Sequence, residues 1–304
     1  MSKQHNRFNA ISRGWNALFS IILGLAALVI LIPMVLIVII SFSSQASIAA
    51  RGYSFFPTEW SLMGYQALFQ MGDQLLTSYA ITLFITVAGT VMSLAVSTMY
   101  AYVLSLKGFN CHSFYTWILC FTMLFGGGMV PSYILNVRYL HLDDTIWIFL
   151  LPSLAGAYNI IMLRTFLTTT VPDSLIEAAR IDGAGHFRVF LSVVLPLFKA
   201  GIATIALFNV VGRWNDWFTG MLYIENPRLI PLQTLLQKIQ NNIDFLKNNS
   251  AMAGRPDALN YLKTLPSESL RMACTLIVIL PVMAAYPFFQ RYFVKGLTVG
   301  SIKG

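Results

Sequence analysis

The chain has 304 residues, of which 57% are hydrophobic and only 11% charged, with a mean hydropathy of +0.67. A soluble domain carries about 25% charged residues, so this composition excludes an ordinary water-soluble globule and points to a bilayer. The net charge of +8 reads as a determinant of membrane orientation, and no nucleic-acid partner is expected.

A helix that crosses the hydrocarbon layer needs about 20 mostly apolar residues. Laid along the chain, that ruler predicts six spans. The first, Ala17 to Phe42, carries no charge. The small residues that follow, Ser47-Ile48-Ala49-Ala50, look like a cleavage site, but the apolar run exceeds the about 7–15 residues of a signal sequence, so an uncleaved span is expected. The second lies within Leu76 to Leu104 and the third within Cys111 to Leu135, a tight hairpin turned at Lys107. Gly126-Gly127-Gly128 inside the third has no following lysine to make a phosphate loop, and is expected to unwind the helix or let another helix pack close.

The fourth span, Thr145 to Leu163, lies between Asp143-Asp144, expected to cap it, and Arg164. The fifth is interrupted: Ala200 to Val211 and Trp217 to Ile224 are apolar, with Arg213-Trp214-Asn215-Asp216 between them. The sixth, Met272 to Phe289, sits between Arg271 and Arg291. The fold class is thus an all-α integral membrane protein of six transmembrane helices. Residues 1–16 and 290–304 form tails to a transmembrane domain over 17–289, which carries a cytoplasmic loop at 164–199 and an external loop at 225–269.

Orientation follows from lysine and arginine in the short flanks. Lys3, Arg7, Arg13, Lys107, Arg164, Arg180, Arg188, Lys199, Arg291, Lys295 and Lys303 share one side. The opposite side has fewer, and most of those fall in the long segment Arg228 to Lys263, where charge counts for less. Both termini are therefore expected in the cytoplasm. The long external segment includes Leu232 to Phe245, which reads as an amphipathic surface helix or a plain solvated connector, and Tyr53, Phe55, Phe56 and Trp60 suit the interfacial belt.

Cys111, Cys120 and Cys274 sit in or beside apolar runs without metal-ligand spacing and read as small buried hydrophobes, while His112, His141 and His186 are scattered. No metal site and no catalytic residue is expected. The sequence lacks G-x-x-x-x-G-K-[ST], H-E-x-x-H and G-x-S-x-G, so it carries no recognisable machinery for hydrolysing ATP or a peptide by itself.

Between spans four and five the character changes. Pro172-Asp173 opens a short helix that runs to Ile181 and stops at Asp182-Gly183, with Leu175, Ala178, Ala179 and Asp182 at helical spacing. The sequence then reads Glu177-Ala178-Ala179-x-x-x-Gly183, nine residues, and Val193-Val194-Leu195-Pro196. This resembles the EAA loop of type I ABC import permeases, with Val193 in place of isoleucine as its departure. Glu177-Ala178-Ala179 alone would mean only a solvated amphipathic turn; matched over the whole loop, it points to the family.

The likeness extends over most of the chain and is strongest to the carbohydrate branch. It is carried by Phe125-Gly126-Gly127-Gly128-Met129-Val130-Pro131, Asn209, Trp214-Asn215-Asp216-Trp217, Pro231-Leu232-Gln233 and the tail Gln290-Arg291-Tyr292-Phe293-Val294-Lys295-Gly296. Some relatives in that branch handle uronate-containing oligosaccharides. The resemblance implies a type I permease fold in a bacterial inner membrane and a heterodimer with a second permease. It also implies two copies of an ATP-binding-cassette ATPase, which hold the ATP and magnesium, and an external solute-binding protein. Glu177, Ala178, Ala179, Asp182, Gly183, Leu195 and Pro196 are then the ATPase-coupling residues, and alternating access is the mechanism.

The substrate path is the less determined part. Arg213 and Asp216, spaced i, i+3, either pair with each other or line the path. In the second case Trp214 and Trp217 stack sugar faces, Asn215 bonds hydroxyls and Arg213 meets an acidic sugar. Tyr133 and Asn136 read equally as pore or packing residues. The competing functions are a secondary transporter or channel and a membrane-embedded glycan or lipid enzyme; neither needs a docking loop.

Overall fold

The computed structural model describes residues 12–248 and 267–300. The expected terminal tails and the part of the external loop around Arg255-Pro256-Asp257 lie wholly or partly outside the described residues. Apart from one antiparallel bridge between Ser43 and Trp60, the described chain is helix and turn.

It falls into two compact units. The first joins the residues up to Gln70 with the described part of Ile243–Ile277. Here α1 (Arg13–Ser41) is exposed and apolar over most of its length, as a helix facing lipid must be, and α2 (Gln45–Arg51) and α3 (Met63–Phe69) follow. Ser41 Oγ meets Tyr65 Oη at 2.9 Å, and the Phe42 and Tyr65 rings lie 4.9 Å apart. Gly64 faces the Ser269-Leu270 backbone so closely that a Cβ there would come within 2.8 Å of the Ser269 carbonyl carbon. Tyr53 donates to Glu268 Oε2 at 2.7 Å, and that bond, followed by partial burial, raises the tyrosine pKa.

The second unit holds Met71–Asn242 and the remainder of the last helix. Its axis is α4 (Gly72–Ser105), which buries a line of hydroxyls and a glycine: Ser78, Thr82, Thr86, Gly89, Thr90, Ser93 and Ser97. Leu76, Leu83, Phe84, Val87 and Val91 of the same helix are exposed. Small residues inward and large apolar ones outward is the pattern of a helix in lipid, where close approach of backbones drives packing.

After α4 the chain forms α5 (His112–Leu124), then bends by 113° at the glycine run into α6 (Met129–Ile134) and a π-helical turn, Leu135–Tyr139. Gly128 has φ +87°, and nothing lies within 4 Å of a Cβ built on Gly126 or Gly127. The glycines thus unwind the helix, and within this chain nothing packs closely on Gly126 or Gly127. The helices α7 (Trp147–Leu150), α8 (Ala157–Thr170), α9 (Asp173–Ile181) and α10 (His186–Val189) come next. A second π-turn, Phe190–Val194, and α11 (Leu195–Leu197) lead through an 81° bend into α12 (Lys199–Trp214). The short α13 (Phe218–Tyr223), a 3-10 turn at Pro227–Leu229, α14 (Leu232–Asn248) and α15 (Ser267–Gly300) complete the described chain.

By length and apolarity, Gly14–Ser41, Gly72–Ser105 and Ser267–Pro287 are long enough to cross a membrane, and the two bent pairs bring the total among the described residues to five. The expected fourth span, Thr145 to Leu163, is not one continuous helix. Pro152 and Gly156 interrupt it after Leu150, and α8 then runs on to Thr170. Hydropathy registers the apolar composition of that run but not the missing backbone donor. Asp144, expected to cap it, instead accepts at Oδ1 from the backbone N–H groups of Asn226 at 2.7 Å and Glu225 at 3.1 Å.

Candidate functional site

Pro172 precedes the first turn of α9, Asp173 places a carboxylate at its N-terminus, and the helix is closed by Gly183 at φ +81°. Ala184 N–H reaches back to Ala179 carbonyl at 3.0 Å, and Gly183 N–H to Arg180 at 3.0 Å. That left-handed cap explains why a glycine must stand at this position: any side chain there would be strained.

Along α9 only Ile176 is buried. It enters an apolar cluster with Tyr102 of α4, Leu163 and Leu167 of α8, and Val189, Phe190 and Val194 beyond α9. Ala179 packs partly against the same cluster, while Glu177, Ala178 and Asp182 are exposed. The helix is therefore pinned by one face and free on the other. Its free surroundings are apolar as well as charged, for Ile181 is 86% exposed and Phe187 68%.

Polar links add to the pinning. Lys107 Nζ lies 2.6 Å from Asp173 Oδ2, a hydrogen bond and charge that raise the lysine pKa, and Tyr102 Oη lies 3.4 Å from His186 Nδ1. Leu195 is partly buried and Pro196 exposed; Pro196 has no N–H to give, and the turn before it is the π-helical one. Leu195 touches the same apolar cluster, so both ends of the motif share one anchor. Ile176 and Val189 were not singled out from the sequence; an apolar residue midway along an otherwise polar-faced helix is the signal that marks the first.

Around the interruption of span five, α12 ends at Trp214 and α13 starts at Phe218. Arg213 Nη1 donates to the Phe149 carbonyl at 2.7 Å and Nη2 to the Ser153 carbonyl at 3.4 Å. These acceptors belong to the stretch broken around Pro152, so the guanidinium supplies donors where the helix cannot. A Cβ on Gly89 would strike that guanidinium. Asp216 does not bond Arg213; its Oδ1 accepts from Thr219 N–H at 3.0 Å and caps α13.

Trp214 is 4% exposed, its indole N–H donating to Val278 carbonyl at 3.1 Å and its ring edge-on to Tyr79. Asn215 is exposed, accepting from Gln233 at 3.1 Å, and Trp217 is half exposed beside Phe218. Asn136 is buried and donates to Tyr223 Oη at 3.3 Å, and Tyr133 stacks on Tyr223. No cluster of histidine, cysteine or acidic side chains able to hold a metal occurs among the described residues.

Known proteins resemble this chain in sequence and in architecture. Residues 109–299 match the family described as binding-protein-dependent transport system inner membrane component. The chain belongs to that family. The permease is 34% identical to the polygalacturonan/rhamnogalacturonan transport system permease protein YtcP of Bacillus subtilis (strain 168), over 91% of this chain and 94% of that one. It is 36% identical to Protein LplC of the same organism, over 92% of both. A solved structure of a bacterial ABC transporter involved in import of the acidic polysaccharide alginate contains a chain that superposes with a TM-score of 0.77 at 32% identity, covering 93% of this permease and 99% of that chain. The resemblance to type I import permeases is thereby established, and the chain is a transmembrane permease component.

Proposed function

We propose that this permease is one membrane half of an ATP-driven importer of oligosaccharides, acidic ones among them, and that 173–196 is the segment through which a separate ATPase drives it. The observation that carries the coupling part is α9 itself, held to the spans by Ile176 while Glu177, Ala178 and Asp182 remain exposed. Closing an ATPase pair on that face moves a lever whose other side is packed into α4 and α8, and the displacement is passed to the spans as rigid packing. The chain itself holds no nucleotide motif, so ATP and magnesium reside on the partner.

The substrate class is supported by the polygalacturonan/rhamnogalacturonan- and alginate-transport relatives. In this reading Asn215 and Trp217 face the substrate. Arg213, Asp216 and Trp214 hold the broken backbone in shape behind them, since they are buried or half-buried and bonded to the protein while Asn215 and Trp217 are exposed. A second permease, two ATPase subunits and an external solute-binding protein complete the assembly, with both termini in the cytoplasm.

Purification from the native membrane in mild detergent, followed by mass spectrometry, tests the assembly. A nucleotide-binding subunit and a second multi-span protein in stoichiometric amounts are expected. The chain alone, in a preparation that keeps known complexes whole, contradicts the reading.

A further inference from the structure

One face of α14 is a row of carboxamides. Gln233, Gln237, Gln240 and Asn241 stand at i, i+4, i+7 and i+8, which puts them on one side of the helix, while Leu232, Leu235 and Leu236 on another side are buried. The three glutamines are half-buried and Asn241 is exposed. Lys238 falls outside the row and Asn242 lies across the helix from it.

The row is joined to the break in span five. Gln233 Nε2 donates to Asn215 Oδ1 at 3.1 Å, and Gln237 Nε2 donates to Asn241 Oδ1 at 3.0 Å. The start of α14 is fixed at the same place. Leu232 N–H donates to Thr82 Oγ1 at 2.7 Å, Thr234 Oγ1 donates to the Trp217 carbonyl at 3.0 Å, and a Cβ on Gly220 would strike Thr234. Trp217 N–H in turn bonds the Asn215 carbonyl at 3.0 Å. One fixed piece of backbone therefore carries the exposed indole, Asn215 and the amide row.

The chemistry of the row separates a sugar from water or an ion. A carboxamide donates and accepts, as a sugar hydroxyl does, whereas lysine only donates and glutamate only accepts. A face turned merely to water would be served as well by charged side chains, yet the four positions hold none. Among the described residues the Gln233 and Gln237 carbonyl oxygens and the Asn241 amide N–H groups make no further bond, so each keeps capacity for a ligand. Four residues of helix rise about 6 Å, the scale of one sugar ring.

We infer that this carboxamide row binds the hydroxyl groups of an oligosaccharide beside the break in span five. The inference rests on the importer reading above and extends the substrate path from Asn215 and Trp217 to Gln233, Gln237, Gln240 and Asn241.

The test uses the whole transporter complex in proteoliposomes with its solute-binding protein. The probes are oligosaccharides released from polygalacturonan, alginate and arabinan, and the one that the parent takes up fastest is used throughout. With benzoylphenylalanine in place of Gln237, illumination during turnover is expected to leave a saccharide adduct at that position, read by mass spectrometry, and none when the same group replaces Asn242. Gln237→Met, which keeps the length and removes the hydrogen bonds, should slow uptake about fivefold. Gln237→Asn should recover part of that loss, with all subunits copurifying at parental ratios.

An adduct with the companion permease alone would show a subunit contact and overturn the inference. No adduct at either position, or parental uptake in the triple variant Gln233→Met, Gln237→Met, Gln240→Met, would show a face that meets only water and overturns it equally. The uptake comparison does not use the crosslinking variant, so it remains decisive if that chain fails to assemble. A complex that takes up none of the three probes overturns the importer reading and this inference with it; uptake indifferent to the row overturns this inference alone.

Discussion

Arg213 Nη1 bonds the carbonyl of Phe149 at 2.7 Å across 64 residues of sequence, joining the end of α12 to the break in the fourth apolar segment. In hydrocarbon an open carbonyl has no water to turn to, so this bond lets a proline-broken backbone lie inside the membrane domain. The charge near mid-span is explained by a structural need before any substrate is considered.

Arg213→Met should therefore lower the apparent melting temperature of the purified complex, since the Ser153 carbonyl loses the guanidinium and the Phe149 carbonyl keeps only the 3.3 Å bond from Ser153 Oγ, and a buried acceptor that loses its donor costs about 1–3 kcal/mol. Gly89→Val acts on the same guanidinium through a clash, so the double variant is expected to cost less than the sum of the singles. A melting temperature unchanged in Arg213→Met would contradict the bracing role.

Glu177→Lys inverts a charge on the free face of α9 and should reduce ATP-driven uptake by about tenfold or more, with membrane levels unchanged on immunoblot. Lys107→Ala breaks an exposed ion pair of the kind that contributes little, and uptake within about twofold of the parent is expected. Parental uptake by the Glu177 variant would remove that residue from the coupling surface.

Gly64→Val should prevent accumulation of properly assembled protein, because its Cβ meets main-chain atoms of Ser269 and Leu270 that cannot rotate away. Overpacking of this sort costs about 1–3 kcal/mol. Normal yield and melting temperature would refute the close approach.

Tyr53 has its pKa raised by its hydrogen bond to Glu268 and by burial, so the folded state favours the neutral phenol. Its contribution is present below the ordinary tyrosine pKa of about 10 and is lost as pH climbs through the raised value. Tyr53→Phe should show less loss of stability than the parent over that alkaline range and the same slope near neutrality. Identical alkaline profiles would exclude the linkage.

Several of these features were legible in the residues and others were not. The spans at Gly72–Ser105 and Ser267–Pro287 declare themselves as long apolar runs, and Gly126-Gly127-Gly128 marks a helix that must unwind. The α9 cap is legible too, since Gly183 stands where a left-handed residue closes the helix. Arg213 invited pairing with Asp216 three residues on, but its acceptors are main-chain carbonyls 60 and 64 residues away, and carbonyls leave no mark in a sequence. Trp214 looked available to stack a sugar because the local pattern shows an aromatic beside a charge; only the fold reveals Tyr79 and Val278 around it.

Placing a photo-crosslinking benzoylphenylalanine at Ile181, on the free side of α9, tests the coupling claim most directly. On illumination in native membranes, an adduct with a nucleotide-binding ATPase subunit is predicted, lost when the same probe replaces buried Ile176. Efficient crosslinking at Ile181 to lipid or to unrelated proteins, with the ATPase absent from every adduct, would contradict it.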